Sequence, residues 1–320
     1  MTDYLILAAG FVLLILGADI LVKGASSIAK RLKVSDLIIG LTVVSIGTSA
    51  PELSVNILAS IEGSGGMALG NVIGSNIFNF LAILGITALI RPINLKSSLL
   101  KVEIPFAILA SFAMIFVAAD FILDGTTGVI SRGDGMILIL FFSIFLYYVF
   151  LSAKKGEISE SDAAKEDSKS YSIILSIVMI GGGVAALIYG GDLIVGSATQ
   201  LAQRWGFSDN LIGLTIVAAG TSLPELATSA VAAFRGNSDI AVGNVVGSNI
   251  FNIFMVLGLS SVILPIPVSG ESITDAVVAA AATGLVLFFG FRGKGQRIDK
   301  FEGGVLLTLY VAYMTYLIVK

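Results

Sequence analysis

The sequence predicts an all-α membrane protein: ten transmembrane helices in two inverted five-helix repeats, with broken helices at a buried polar site. Three observations lead there. The 320 residues are 56% hydrophobic and 13% charged, against about 25% charged in an ordinary soluble domain, and the excess forms long apolar runs. The basic residues crowd into alternate loops. The two halves of the chain also match each other at a fixed offset.

The apolar runs have cores at 4–22, 36–60, 67–90, 103–123, 135–153, 172–197, 209–233, 240–264, 273–291 and 303–319, each near the ~20 residues a tilted helix needs. The first begins at Tyr4 with no basic stretch before it, so it reads as a retained helix and not a cleaved signal peptide. The long polar run Ala153–Ser170 divides the spans five and five. The expected units are therefore a first repeat at 1–153, a linker at 154–170 and a second repeat at 171–320.

Ten spans place 16 of the 19 Lys and Arg residues on one side, leaving Arg132, Arg204 and Lys320 on the other. By the positive-inside rule the linker is cytoplasmic and both termini are extracellular, in a plasma-membrane protein.

GTSAPEL at 47–53 recurs as GTSLPEL at 220–226, and GNVIGSNIFN at 70–79 as GNVVGSNIFN at 243–252, both offset by 173 residues. The same offset pairs Asp19 with Asp192, Ser35-Asp36 with Ser208-Asp209, and Pro92 with Pro265. This is an internal duplication. Because each half has an odd number of spans, the second enters the membrane from the opposite side, as in many secondary transporters.

Glu52 and Glu225 lie deep in apolar runs. A carboxylate at the bilayer centre is costly, by about 2.5–3.5 kcal/mol on insertion scales for Asp. No spanning Lys or Arg neutralises them, which leaves bound cations as their counter-charge. Pro51 and Pro224 precede the acids and, with Gly-Thr-Ser, favour local unwinding. Backbone carbonyls of Ser45, Gly47 and Thr48, or Ala218, Gly220 and Thr221, are then expected to join the hydroxyls of Thr48, Ser49, Thr221 and Ser222. Ser75 and Asn79 share a helix face, as do Ser248 and Asn252. Asn71, Asn76, Asn244 and Asn249 are further amides suited to inter-helix hydrogen bonds. Gly70/Gly74 and Gly243/Gly247 have the spacing of close helix packing. Asp19 and Asp192 are read as span-end, interfacial acids, and Asp36 and Asp209 as helix-start residues.

An all-oxygen set of this kind suits hard cations: Ca²⁺ accepts 6–8 oxygens in flexible geometry, Na⁺ suits carbonyls and hydroxyls, and Mg²⁺ sheds water reluctantly. The chain has no Cys and no His, which excludes disulfides, thiol chemistry and the usual zinc or haem ligands. An intramembrane enzyme would need Ser with Lys, or paired carboxylates, and no spanning Lys exists. No cofactor, nucleic acid or obligate protein partner is expected; the partners are the lipid bilayer and the transported ions.

The paired GTSxPE and GNVxGSN motifs, each present twice, resemble the sodium/calcium exchanger family of the cation/Ca²⁺ exchanger superfamily, in a prokaryotic member. The resemblance is strongest at 35–92 and 208–265. It implies metal ligands at Ser45, Thr48, Ser49, Glu52, Ser75 and Asn79, and at Ala218, Thr221, Ser222, Glu225, Ser248 and Asn252. It also implies three Na⁺ per Ca²⁺, hence electrogenic exchange, with the first and sixth helices sliding over a fixed core. Potassium-dependent relatives carry Asp where this chain has Asn252, which speaks against K⁺ co-transport. The cation/proton branch carries an acid where this chain has Gly74 and Gly247, which favours Na⁺ over proton coupling. The expected activity is Na⁺/Ca²⁺ antiport by alternating access. Ca²⁺/H⁺ exchange through the same two acids is the alternative, with a passive channel and an enzyme behind it.

Overall fold

The computed structural model describes residues 2–119, 125, 128–154, 171–206, 218–292 and 296–319. Its helices are α1 (Thr2–Leu32), α2 (Asp36–Thr48), α3 (Ala50–Ile61), α4 (Gly65–Ile90), α5 (Leu99–Ala118), α6 (Arg132–Lys154), α7 (Ile173–Arg204), α8 (Ala218–Gly220), α9 (Leu223–Phe234), α10 (Ser238–Ile263), α11 (Gly270–Arg292) and α12 (Lys300–Val319). Among the described residues, eight helices are long and apolar enough to cross a membrane, and α2 with α3 makes a ninth, bent by 45°. The expected seventh span survives here as α8 and α9 only. Its first part, with Ser208 and Asp209, lies outside the described residues, as does the linker beyond Lys154.

The central pair is α4 and α10. The apolar stretch of α10 is 94% buried and that of α4 78%, whereas that of α12 is 11% buried. Composition explains the contrast. α10 carries small and polar residues all round (Gly243, Gly247, Ser248, Asn249), so neighbours can close on every face. The GxxxG expectation holds for this copy: a Cβ on Gly247 would lie 2.6 Å from the Leu41 carbonyl oxygen and the Ser45 hydroxyl. Outside the adjoining backbone of α4, no described atom lies within 4 Å of a Cβ built on Gly70 or Gly74.

Two short antiparallel pairs tie the loops. β1 (Ile93–Asn94) pairs with β4 (Arg297–Ile298), and β2 (Val129–Ile130) pairs with β3 (Ile266–Pro267). β1 follows α4 and β4 follows α11, so each pair joins one half of the chain to the other.

α1 and α7 lie side by side, antiparallel. Gly17 meets Gly183, whose carbonyl oxygen would be 3.0 Å from an added Cβ. Ser27 and Ser176 hydroxyls hydrogen-bond at 2.9 Å. Asp3 pairs with Arg204, and Arg31 donates to the Tyr171 carbonyl. These two helices correct one expectation. They run 31 and 32 residues, well past the apolar cores at 4–22 and 172–197, so Asp19 and Asp192 lie within helices instead of near their ends. The hydropathy falls at Lys23, but small residues such as Ala25 and Ala29 are still buried, and that packing carries the helix onward. Asp19 is ion-paired to Lys23 (2.7 Å) and to Arg235.

Candidate cation-binding site

Where sequence predicts a break in the Gly-Thr-Ser segment, the backbone supplies one. Ser49 has φ −83° and ψ 11°, separating α2 from α3, and Pro51 occupies the first turn of α3. Ser222 has φ −92° and ψ 8°, with Pro224 in the first turn of α9. Proline is tolerated there because a first-turn amide has no helical acceptor. Glu52 and Glu225 thus stand in the first turns of α3 and α9, where helix dipoles favour negative charge. α4 and α10 widen into π-helical turns at Phe78–Ile83 and Asn252–Leu257; such turns often mark functional sites.

The expected oxygen donors converge, with most of them almost wholly buried. Glu52, Glu225, Thr48, Ser49, Ser222, Ser45, Ser75, Ser248, Asn79 and Asn252 are each at most 2% exposed, while Thr221 is partly open. Ala218 lies in the short α8, and only its backbone is described.

The hydrogen bonds cross between the halves. Ser49 donates to Glu225 Oε1 at 2.7 Å, and Ser222 donates to Glu52 Oε1 at 2.9 Å. Each broken helix therefore serves the carboxylate of the other motif. Ser75 Oγ lies 3.2 Å from the Ser222 hydroxyl. Thr48 donates to Asn244 Oδ1 at 3.0 Å, and Thr221 to Asn71 Oδ1 at 3.5 Å. Ser45 donates back to the Leu41 carbonyl at 2.8 Å, while its own carbonyl accepts from Ser49 N (3.0 Å), Thr48 (3.3 Å) and Ser248 (3.4 Å).

Four acceptor atoms of the expected donor set are buried with no protein partner among the described residues: Glu52 Oε2, Glu225 Oε2, Asn79 Oδ1 and Asn252 Oδ1. They form two matched pairs at the 173-residue offset. A buried acceptor left unpaired is costly. Four such oxygens, two of them from carboxyl groups, are what a desolvated hard cation would satisfy. Among the described residues no three acids cluster; two carboxylates and neutral oxygens make up the set.

Sequence reasoning missed the crossing of the bonds. It listed the hydroxyls without saying which acid each would serve, and the helix break carries each Ser to the opposite one. Asn244 makes the inter-helix hydrogen bonds expected of it: besides accepting from Thr48 it donates to Ser229 (3.0 Å) and to the Glu225 carbonyl (3.3 Å), tying α10 to α9 and α2.

This chain belongs to the sodium/calcium exchanger protein family, whose model matches residues 2–151 and 175–319. It is 39% identical over 308 residues to the putative antiporter CaxA of Alkalimonas amylolytica, covering 95% of each chain. It is 34% identical over 355 residues to the sodium/calcium exchanger MaX1 of Methanosarcina acetivorans, covering 98% of each. Among solved structures, the sodium-calcium exchanger NCX_Mj soaked with 10 mM Na⁺ and zero Ca²⁺ matches with a TM-score of 0.82 and 32% identity, covering 98% of each chain. The family and its structural neighbours are exchangers and not enzymes, so the protein is a membrane antiporter for cations.

Proposed function

We propose that the protein exchanges Na⁺ for Ca²⁺ across the plasma membrane by alternating access, electrogenically. One observation carries the reading. Glu52 and Glu225 are each held through Oε1 by a hydroxyl from the opposite motif, and each keeps Oε2 free of any protein donor. Their two charges match one Ca²⁺. The same oxygens can instead face Na⁺ ions, with Asn79 Oδ1 and Asn252 Oδ1 and the hydroxyls of Thr48, Ser49, Ser75, Thr221, Ser222 and Ser248 completing the cages. Carbonyls of Ser45 and Ala218 belong to the same proposed set. Na⁺ and Ca²⁺ cannot hold one carboxylate pair at once, and that exclusion couples the fluxes. The likeness to the sodium/calcium exchangers MaX1 and NCX_Mj supports the ion assignment.

The proposed architecture is ten spans in two inverted repeats, 1–153 and 171–320, with the 154–170 linker cytoplasmic and both termini outside. The strand pairing supports this parity. In a ten-span count β1 and β4 follow the third and ninth spans, and β2 and β3 follow the fourth and eighth. Each antiparallel pair then lies on a single membrane face, and the two pairs lie on opposite faces.

The test is Ca²⁺ uptake into Na⁺-loaded proteoliposomes on dilution into Na⁺-free medium. The expected result is uptake that follows the Na⁺ gradient, responds to membrane potential and ignores a K⁺ gradient. Uptake driven by a pH gradient and indifferent to Na⁺ would replace this reading with Ca²⁺/H⁺ exchange.

A further inference from the structure

Four asparagines form a connected amide network where α4 crosses α10, with Asn76 and Asn249 paired at its centre. Asn79 Nδ2 donates to Asn249 Oδ1 at 2.9 Å, and Asn252 Nδ2 donates to Asn76 Oδ1 at 3.4 Å. Asn249 Nδ2 donates to the Asn76 backbone carbonyl and Asn76 Nδ2 to the Asn249 backbone carbonyl, both at 3.4 Å. All four side chains are at most 3% exposed.

We infer that Asn76 and Asn249 are positioning residues that fix the amide orientation of Asn252 and Asn79, each across the boundary between the two halves, so that both amide oxygens face the cation. This rests on the cation-site reading above. An amide presents an oxygen on one side and an NH₂ of nearly the same shape on the other. Turned one way Asn79 is a cation ligand; turned the other way it presents two N–H bonds that repel a cation. The site alone does not decide between them, but the network does. A backbone carbonyl can only accept, so the Asn76 carbonyl requires the NH₂ of Asn249 to point at it. That leaves Asn249 Oδ1 facing Asn79, and an oxygen facing Asn79 requires its NH₂. Asn79 Oδ1 is thereby turned to the opposite side, where it lies buried without a protein donor. The same sequence runs from the Asn249 carbonyl through Asn76 to Asn252. Orientation is thus set by two main-chain carbonyls and transmitted through one amide to each ligand. Since each ligand is set by a residue of the other half, the arrangement also holds the two halves in register at the site.

The test is a set of double-mutant cycles read as Ca²⁺ affinity of the purified protein by calorimetry, with Na⁺-driven uptake alongside. Loss of a group that orients a metal ligand lowers metal affinity by about 10–100-fold, and that range is expected for Asn249→Leu, with a smaller factor for Asn76→Leu because its bond to Asn252 is longer. On an Asn79→Ala background, Asn249→Leu should cost less than about twofold further. On an Asn252→Ala background it should keep its full factor, because sites that share no partner add. Asn76→Leu should show the reverse pattern. A merely structural role would give the same factor on both backgrounds, and that outcome, or unchanged affinity in the single variants, overturns the inference. Asn249→Ala carries the same cycle if the leucine variant fails to reach the membrane. A wild-type protein that binds Ca²⁺ but shows no Na⁺-driven uptake would refute the antiport reading and leave the orientation test intact.

Discussion

The centre of the molecule and its α1 end obey different rules. At the centre the two halves are interchangeable: Ser222 gives Glu52 what Ser49 gives Glu225, at 2.9 and 2.7 Å. At the periphery the equivalence fails. Asp19 binds Lys23 and Arg235, but 173 residues away the corresponding positions are Asp192, Gly196 and Glu62. Asp192 and Glu62 are both exposed, and neither forms an ion pair among the described residues. On the cation-site reading both halves must supply oxygens there, and the two motifs are accordingly alike. The α1–α9 ion pair thus has no counterpart at the duplicated positions, although Asp3 pairs with Arg204 near the other end of α1. On the alternating-access reading, closing the opposite end would bring two acids together, and this difference weights the balance between the two states.

The largest effect tests the sameness of the centre. Glu52→Gln and Glu225→Gln should each reduce Na⁺-driven Ca²⁺ uptake to vesicle background while leaving a folded, monodisperse protein; strong uptake in either one would break the equivalence. Acid comes next. A protonated carboxyl is a poor cation ligand, so transport requires both acids deprotonated and is lost as pH falls through their titration. If both are needed, the loss should be steeper than a one-proton curve, and an initial-rate pH profile that is flat or shallower contradicts shared use.

Smaller effects follow at the hydroxyls. A hydrogen bond to a charged group is worth about 1.5–3 kcal/mol, so Ser49→Ala and Ser222→Ala should each weaken Ca²⁺ binding about tenfold or more, by similar factors. Unequal factors would mean that the halves divide the ions differently. The smallest change belongs to the periphery. An exposed, salt-screened ion pair contributes about 0.2–1 kcal/mol, so Asp19→Asn or Arg235→Gln should shift the conformational balance only about 1.5–5-fold. The chain has no cysteine, so single introduced cysteines can report accessibility from each side. Labelling that does not respond to either variant removes the role assigned to this ion pair.

Much of the site was legible because ion chemistry is written in residue types. A buried Glu after Gly-Thr-Ser-x-Pro, present twice, declares an acid, a helix break and a duplication at once, and Ser49 and Ser222 break where expected. What stayed hidden depends on packing between distant segments. Spacing along one helix cannot show that Ser49 reaches Glu225, nor that Asn249 faces Asn79. Helix length beyond the span cores stayed hidden for a related reason: hydropathy falls near Lys23 and does not see the small buried residues that continue α1 to Leu32. The expected seventh span could not be followed through 207–217, which lie outside the described residues.

The claim that Na⁺ and Ca²⁺ contend for one carboxylate pair is tested most directly by titrating Ca²⁺ into the purified protein at increasing Na⁺. The account predicts that Na⁺ lowers the apparent Ca²⁺ affinity with a dependence steeper than first order, as several Na⁺ displace one Ca²⁺. Ca²⁺ affinity that is independent of Na⁺ would contradict it.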